Sequence, residues 1–386
     1  MSSHNLANED AQPSERTSLP LQAMCNMERE LPEEIKLDIF SRLPPKSIGR
    51  CRCLSKQWRA LLSQTNFIET HLHLSKTHRE KSLIIVSIRL GALFSVSLSN
   101  AHHVFGEITV SASKLSFADR PHSWNAVYGS CNGLLLVDDA EHNMFVLNPT
   151  TREIRGVPSW PLDLEDGNNF KYGFGYDSIS DDYNIVVHVC HFEDECECEP
   201  YCTHEAFFYV YSLKNGTWKR VRSHPFDADV GSAVFLNGRV HWLAHWGDST
   251  SAIVAFDLAD EEFHYVPHHR SYDRISMDYR LVVLYRRLWM FNGRRYVRVM
   301  MKYSVEESWN KLTINVHERV HIQPLCLWGQ EEMVLCIDFS QFVIYNLKEG
   351  TLKYIAVQGI PRYVCVRASY PETLVSPNGI TTTERG

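Results

Sequence analysis

Val254-Ala-Phe-Asp-Leu-Ala-Asp-Glu-Glu-Phe263 and Val343-Ile-Tyr-Asn-Leu-Lys-Glu-Gly-Thr-Leu352 share one form: an apolar run, an Asp or Asn, a leucine, a polar turn and an apolar restart. Phe145-Val-Leu-Asn-Pro-Thr-Thr-Arg-Glu-Ile154 and Tyr209-Val-Tyr-Ser-Leu-Lys-Asn-Gly-Thr-Trp218 repeat it, and a looser copy runs from Val299 to Trp309. From Val254 onward the copies start about 45 residues apart, the period of propeller blades. The earlier gap, from Phe145 to Tyr209, is longer, which fits an insertion around Glu193–His204. Dividing about 290 residues by that period gives about six blades. A β-sandwich or an irregular meander with chance similarity is the competing reading.

The surrounding texture agrees with strands. Short apolar runs such as Leu83–Ile88, Leu134–Val137, Ile185–Val189, Val240–Leu243 and Val334–Ile337 alternate with turn signals. Asn132-Gly133, Asn215-Gly216, Asn237-Gly238 and Asn292-Gly293 lie between such runs. Asn-Gly tolerates the positive φ angles of tight hairpins, so these pairs mark antiparallel connections.

Upstream, from Leu31 to about Leu74, the period changes to that of helices. Pro32 suits a first helical position, and Glu33 and Glu34 follow where carboxylates meet the positive helix end. Ile35, Ile39 and Leu43 form an apolar stripe, which Pro44-Pro45 then ends. Ser47 and Ser55 are the expected caps of a second and a third helix, the third carrying Trp58, Leu61 and Leu62. Three short helices make a very small core that gains stability from a partner.

The segment from Leu31-Pro32 through Leu43-Pro44 and Lys46-Ser47 to Lys56-Gln-Trp58 resembles the F-box of plant F-box proteins. The remainder of the chain resembles the F-box-associated interaction domain. Its marks are Gly129-Ser-Cys-Asn-Gly-Leu134, Asn148-Pro-Thr-Thr-Arg152, Tyr172-Gly-Phe-Gly-Tyr-Asp177, His241-Trp242 and Glu307-Ser-Trp309. F-box/kelch-like and S-locus F-box-like chains share this layout, although the kelch Gly-Gly doublet is absent. The expected fold is α+β multidomain: a small N-terminal three-helix F-box, then an all-β propeller-like domain of about six blades. The expected divisions are a disordered lead over 1–29, the F-box over 30–75, the β-domain over 82–368 and a flexible tail over 369–386.

The resemblance implies a substrate-recognition subunit of a Skp–cullin–F-box ubiquitin ligase, with no catalytic residue of its own. Its partners would be a Skp-family adaptor, through it the cullin, and a protein substrate. An apolar stripe entering a helical groove is a known recognition mode. The residues expected to dock are Leu31, Pro32, Ile35, Ile39, Leu43, Pro44 and Ile48, with Trp58 packing the box's own core. Substrate is expected at loops on one face of the β-domain, where Trp124, Tyr201, His245, Trp246, Tyr272 and Arg294 supply aromatic and Arg anchors, with His191 and His268 beside them. The rival classes are a β-propeller that binds protein or glycan outside the ligase and a propeller enzyme.

Composition narrows the field. The formal net charge is −7, against nucleic acid as the main partner. No run of about 18 apolar residues occurs, so no membrane span is expected. The polar N-terminus lacks a secretory pattern, which points to cytoplasm and/or nucleus. Eleven cysteines at irregular spacing read as free thiols. His188, Cys190, His191, Cys196, Cys198, Cys202 and His204 are dense enough to raise zinc, yet Cys-x-Cys-x₃-Cys-x-His is not a finger spacing, and neither metal nor cofactor is expected. Gly173-Phe-Gly-Tyr-Asp177 has no helix pattern after it and reads as no phosphate loop.

Overall fold

The computed structural model describes residues 31–77, 82–104, 107–118, 123–159, 168–192, 203–221, 229–245, 251–268, 279–293, 296–317, 320–329, 331–360 and 365–379. The chain divides into two compact units, 1–40 and 41–386.

The first unit carries nearly all of α1 (Glu33–Ser41). The Pro32 carbonyl accepts from the Ile35 and Lys36 amides, each at 3.1 Å, so the proline sits where its missing N–H is not needed. Glu33 and Glu34 fill the first turn.

The second unit opens with α2 (Pro45–Arg52), α3 (Lys56–Leu62) and α4 (Thr65–Thr77). Four helices therefore stand among the described residues where three were expected. Ser47 is not the cap of α2. Pro44 is, and its carbonyl accepts from the Ser47 amide at 2.8 Å while Pro45 opens the helix. Ser55 does cap α3, its hydroxyl accepting from the Trp58 amide at 3.1 Å. α4 supplies Phe67 and His71 to the helical core beside Ile48 and Leu62. The His71 Nε2 lies 2.9 Å from the Leu43 carbonyl, giving a partner to a backbone group where the chain leaves α1.

The β-strands form antiparallel meanders. The first has β1 (Ser82–Ser87), β2 (Ala92–Ser97) and β4 (Glu107–Lys114), with short β3 (His102–Val104) against β4. The second is β5 (Trp124–Cys131), β6 (Leu134–Asp139), β7 (Met144–Leu147) and β8 (Ile154–Gly156). The third is β9 (Asn168–Asp177), β10 (Asp182–Phe192), β11 (Thr203–Ser212) and β12 (Thr217–Val221). The fourth has β13 (Asp229–Val230) and β14 (Val234–Leu236) on β15 (Arg239–His245), then β16 (Ser251–Asp257) and β17 (Phe263–Val266). The fifth is β18 (Arg280–Leu284), β19 (Arg287–Phe291), β20 (Tyr296–Met300) and β21 (Trp309–Thr313). The sixth is β22 (Ile322–Leu327), β23 (Glu332–Ile337), β24 (Gln341–Asn346) and β25 (Leu352–Gln358). Last comes β26 (Cys365–Tyr370), which pairs with β1 and completes the first meander. The leading strands β5, β9, β14, β18, β22 and β26 touch one another in turn around a closed ring. On the rim, β25 pairs in parallel with β4, setting Ile355 opposite Ile108. The domain is thus all-β and propeller-like.

Burial explains the continuous apolar runs. Side chains alternate between the two faces of a strand. Leu83 and Ile85 enter a cluster shared with the sixth meander, whereas Ile84 and Val86 enter one shared with the second. Both faces are covered, so the strands read as unbroken hydrophobic runs. Each neighbouring pair of meanders shares one such cluster.

The sequence repeat is the turn from third to fourth strand. Asn148 Oδ1 accepts from the Thr150 amide at 2.7 Å, Asp257 Oδ1 from Ala259 at 3.0 Å, and Asn346 Oδ1 from Lys348 at 2.9 Å. Ser212 Oγ accepts from the Asn215 amide at 3.0 Å. A short polar side chain that bonds its own backbone two or three residues on holds each turn. Four residues after each cap the backbone turns left-handed: Arg152 at φ 65°, Gly216 at 68°, Glu261 at 54° and Gly350 at 70°. Asn132-Gly133 and Asn237-Gly238 take positive φ at both positions, as tight hairpins require. Gly173 and Gly175 serve another purpose: a Cβ on Gly173 would lie 2.3 Å from Val240 Cγ1, and one on Gly175 2.5 Å from the Phe235 ring. Their bareness lets the fourth meander pack close against β9.

The expected tail boundary at 369 does not match the packing. β26 runs to Tyr370, and Thr373, Leu374 and Val375 are buried. Asn148 Nδ2 donates to the carbonyls of Thr373 at 3.1 Å and Val375 at 2.7 Å, and Thr373 Oγ1 donates to the Asn132 carbonyl.

Candidate functional site

Within the first unit, Leu31, Ile35 and Ile39 are 51%, 47% and 48% exposed. Ile35 and Ile39 stand four residues apart on α1 and so share one helical face. Pro32 is exposed as well. In the second unit Pro44 is exposed and Leu43 half-buried. Ile48 is corrected: it is fully buried, so its side chain fills the helical core and offers nothing to a partner. Among the basic residues nearby, Arg52 donates to the Leu62 carbonyl at 2.6 Å, a bond inside the helical unit.

A second candidate lies along the ring's centre. A cavity of about 430 Å³ is lined by the leading strands of the meanders. Each of these strands starts at the same end of the ring, because every meander returns its chain to that end. At this mouth stand Phe170, Lys171 and Tyr172 of β9, Arg280 of β18, and Phe339 of the turn between β23 and β24. Tyr128 and Tyr172 pack with ring centres 4.5 Å apart, and Phe170 stacks on Tyr172 at 6.3 Å. The Tyr128 hydroxyl donates to Asp138 Oδ2 at 2.9 Å. Burial, with the Asp138 charge added, pushes the Tyr172 phenol up to about 12, so it stays a neutral donor. Phe339 stacks on His321 at 4.4 Å, and burial together with the Arg280 charge lowers the His321 pKa.

The opposite end of the ring holds α2 and α4. Ile68 and Leu72 of α4 pack on the cluster that contains Cys131, Leu134 and Val375. Lys46 Nζ meets Glu372 Oε1 at 2.9 Å. The helices α2–α4 and the cavity mouth are therefore at opposite ends of the β-ring.

The residues expected as substrate anchors fare differently. Trp124 is corrected: it is 5% exposed and sits edge-on between Phe117 and Phe145, so it is core. Its polar neighbours, Ser123 and Asn125, suggest a loop in the sequence, but it heads an inner strand. Tyr201, Trp246, Tyr272 and Arg294 lie outside the described residues, as does the side chain of His245, which ends β15. His268 is half-buried. Cys196, Cys198 and Cys202 also fall outside the described residues, while His188 is buried against the Phe208 ring. Sequence reading missed Lys171, Arg280 and Phe339. A clue was present for Phe339: an aromatic beside Asp338 in a short link between apolar runs.

Residues 29–70 match the F-box domain family and residues 81–376 the F-box associated beta propeller domain family. The chain belongs to the F-box proteins that carry an F-box associated beta propeller domain. It is 30% identical to F-box protein CPR1 of Arabidopsis thaliana over 86% of this chain and 85% of that one. It is 26% identical to F-box/kelch-repeat protein At3g23880 of the same plant, over 91% and 96% of the two chains. Among solved structures, a complex of KlAtg21 with the coiled coil of AgAtg16 aligns at a TM-score of 0.38 and 10% identity over 67% of this chain and 77% of that one.

Proposed function

We propose that this chain is the substrate-recognition subunit of a Skp–cullin–F-box ubiquitin ligase, recruiting a protein target for ubiquitination and degradation. It acts without catalysis of its own, by raising the concentration of the target's lysines near the conjugating enzyme. The observation that carries the reading is the exposed apolar stripe of Leu31, Ile35 and Ile39 in a segment that matches the F-box. Three large apolar side chains held in water on one short helix and the residues that lead into it are a cost that a partner's groove removes. Leu31, Pro32, Ile35, Ile39, Leu43 and Pro44 are the proposed contacts with a Skp-family adaptor. The β-domain holds the target, and the complex works in the cytoplasm and/or nucleus.

The test is co-purification with a plant Skp-family adaptor. Changing Ile35→Asp and Ile39→Asp together should cut recovery of the adaptor by about tenfold or more. The same change should leave the thermal unfolding midpoint of the β-domain where it was. Undiminished recovery would remove the proposed docking surface.

A further inference from the structure

We infer that the central cavity of the β-ring is the receptor's substrate pocket and that it takes an acidic peptide segment carrying an aromatic or large apolar side chain. This inference rests on the reading of the chain as a substrate receptor. The whole chain carries a net charge of −7, yet no Asp or Glu lines the cavity among the described residues. Its charged groups are Lys171 and Arg280, and neither makes a salt bridge among the described residues. Two such cations at a low-dielectric opening attract anions and repel cations. Behind them the walls are aromatic and aliphatic, and a space of about 430 Å³ suits one or two side chains rather than a folded surface.

The turn that carries Phe339 adds an independent sign. Asp338 and Phe339 take φ of 45° and 57°. Asn132-Gly133 and Asn237-Gly238 adopt the same two-residue turn at little cost, and Tyr285-Arg286 adopts it away from the cavity. An aromatic held left-handed and 49% exposed is doubly disfavoured. What it achieves is position: its ring stacks on His321 and stands over the cavity beside Arg280. A bound segment would lay its apolar side chain between Phe339 and the Tyr172 ring, with its anionic groups on Lys171 and Arg280.

The experiment uses the full chain co-purified with its adaptor and immobilised. Degenerate peptide pools of equal length are passed over it: acidic, neutral and basic pools built round a fixed Phe, the acidic pool with Ala in place of Phe, and a phosphoserine version of the acidic pool. The acidic Phe pool should be enriched over the neutral, basic and Ala pools. The phosphoserine arm tells whether phosphate or carboxylate is the better anion. Enrichment should fall by about tenfold in Lys171→Glu/Arg280→Glu, with adaptor binding retained. Converting Asp338-Phe339 to Asn-Gly should lower enrichment while the thermal midpoint holds or rises; an aromatic with only a structural role would give the reverse. Enrichment of neutral or basic pools, retention of none, or equal retention by the charge-reversed variant overturns the assignment. Failure of the wild-type chain to bind its adaptor would instead strike the receptor reading, and the same pools passed over the full chain alone would then decide the pocket by the same outcomes.

Discussion

Gly350 sits four residues after its turn cap at φ 70°, and a Cβ there would meet nothing closer than 3.7 Å. Space is therefore not the issue, and Gly350→Ala isolates backbone strain. The expected loss is about 1 kcal/mol in chemical unfolding, with no change in adaptor recovery. Histidines give a second test at this scale. His188 and His241 are both fully buried, and desolvation lowers each pKa to about 4. The unfolded chain binds these protons near pH 6.5 and the folded chain does not. Stability should thus be full above about pH 6.5 and fall as pH drops toward 4, by on the order of 3 kcal/mol per histidine. Urea midpoints measured across that range should show the fall, and a midpoint flat in pH would contradict the burial of both rings. Residue type alone is a poor guide to exposure. Trp124 and Ile48 were expected at surfaces and are core, because which face of an element looks inward depends on neighbours far away in sequence. The Asx caps were legible, because the physics that makes them repeat is local.

Elements were clearer where the period was strong. The runs Leu134–Val137 and Ile185–Val189 are strands, and Gly173-Phe-Gly-Tyr-Asp177 is a strand whose glycines admit a neighbouring sheet. α4 was not separated from the helices before it, since Ser63-Gln-Thr-Asn66 carries neither Gly nor Pro to mark a break. The segment after β26 was misjudged for another reason: Pro371 to Pro377 has no period at all, and its order comes from the bonds to Asn148 and Asn132. Asn148→Ala removes both donors to that segment and the cap of its own turn. The expected cost is roughly 2–4 kcal/mol by chemical denaturation. Limited proteolysis should then cut first between Tyr370 and Ser376, and protection equal to the parent chain would show that the segment is held by other contacts.

At the scale of the molecule, the six shared clusters and the ring of leading strands make each meander depend on both neighbours. The propeller-like class was readable from one turn repeated at about 45 residues in the later part of the chain. The exposed apolar stripe of Leu31, Ile35 and Ile39 was readable as a helical pattern because helix period and proline positions are local signals. The cavity mouth was not, since Lys171, Arg280 and Phe339 come from three meanders and meet only when the ring closes.

That closure joins the first strand of the β-domain to the last: Ser82–Ser87 waits for Cys365–Tyr370. During translation the ribosome delivers the helical segment before the β-domain, and the ring cannot seal until Cys365–Tyr370 has been made. A nonsense mutation ahead of Cys365 would therefore release a chain with α1 intact and an open, sticky sheet edge in place of a closed ring. Under the proposed docking, such a fragment would occupy adaptor while delivering nothing to it.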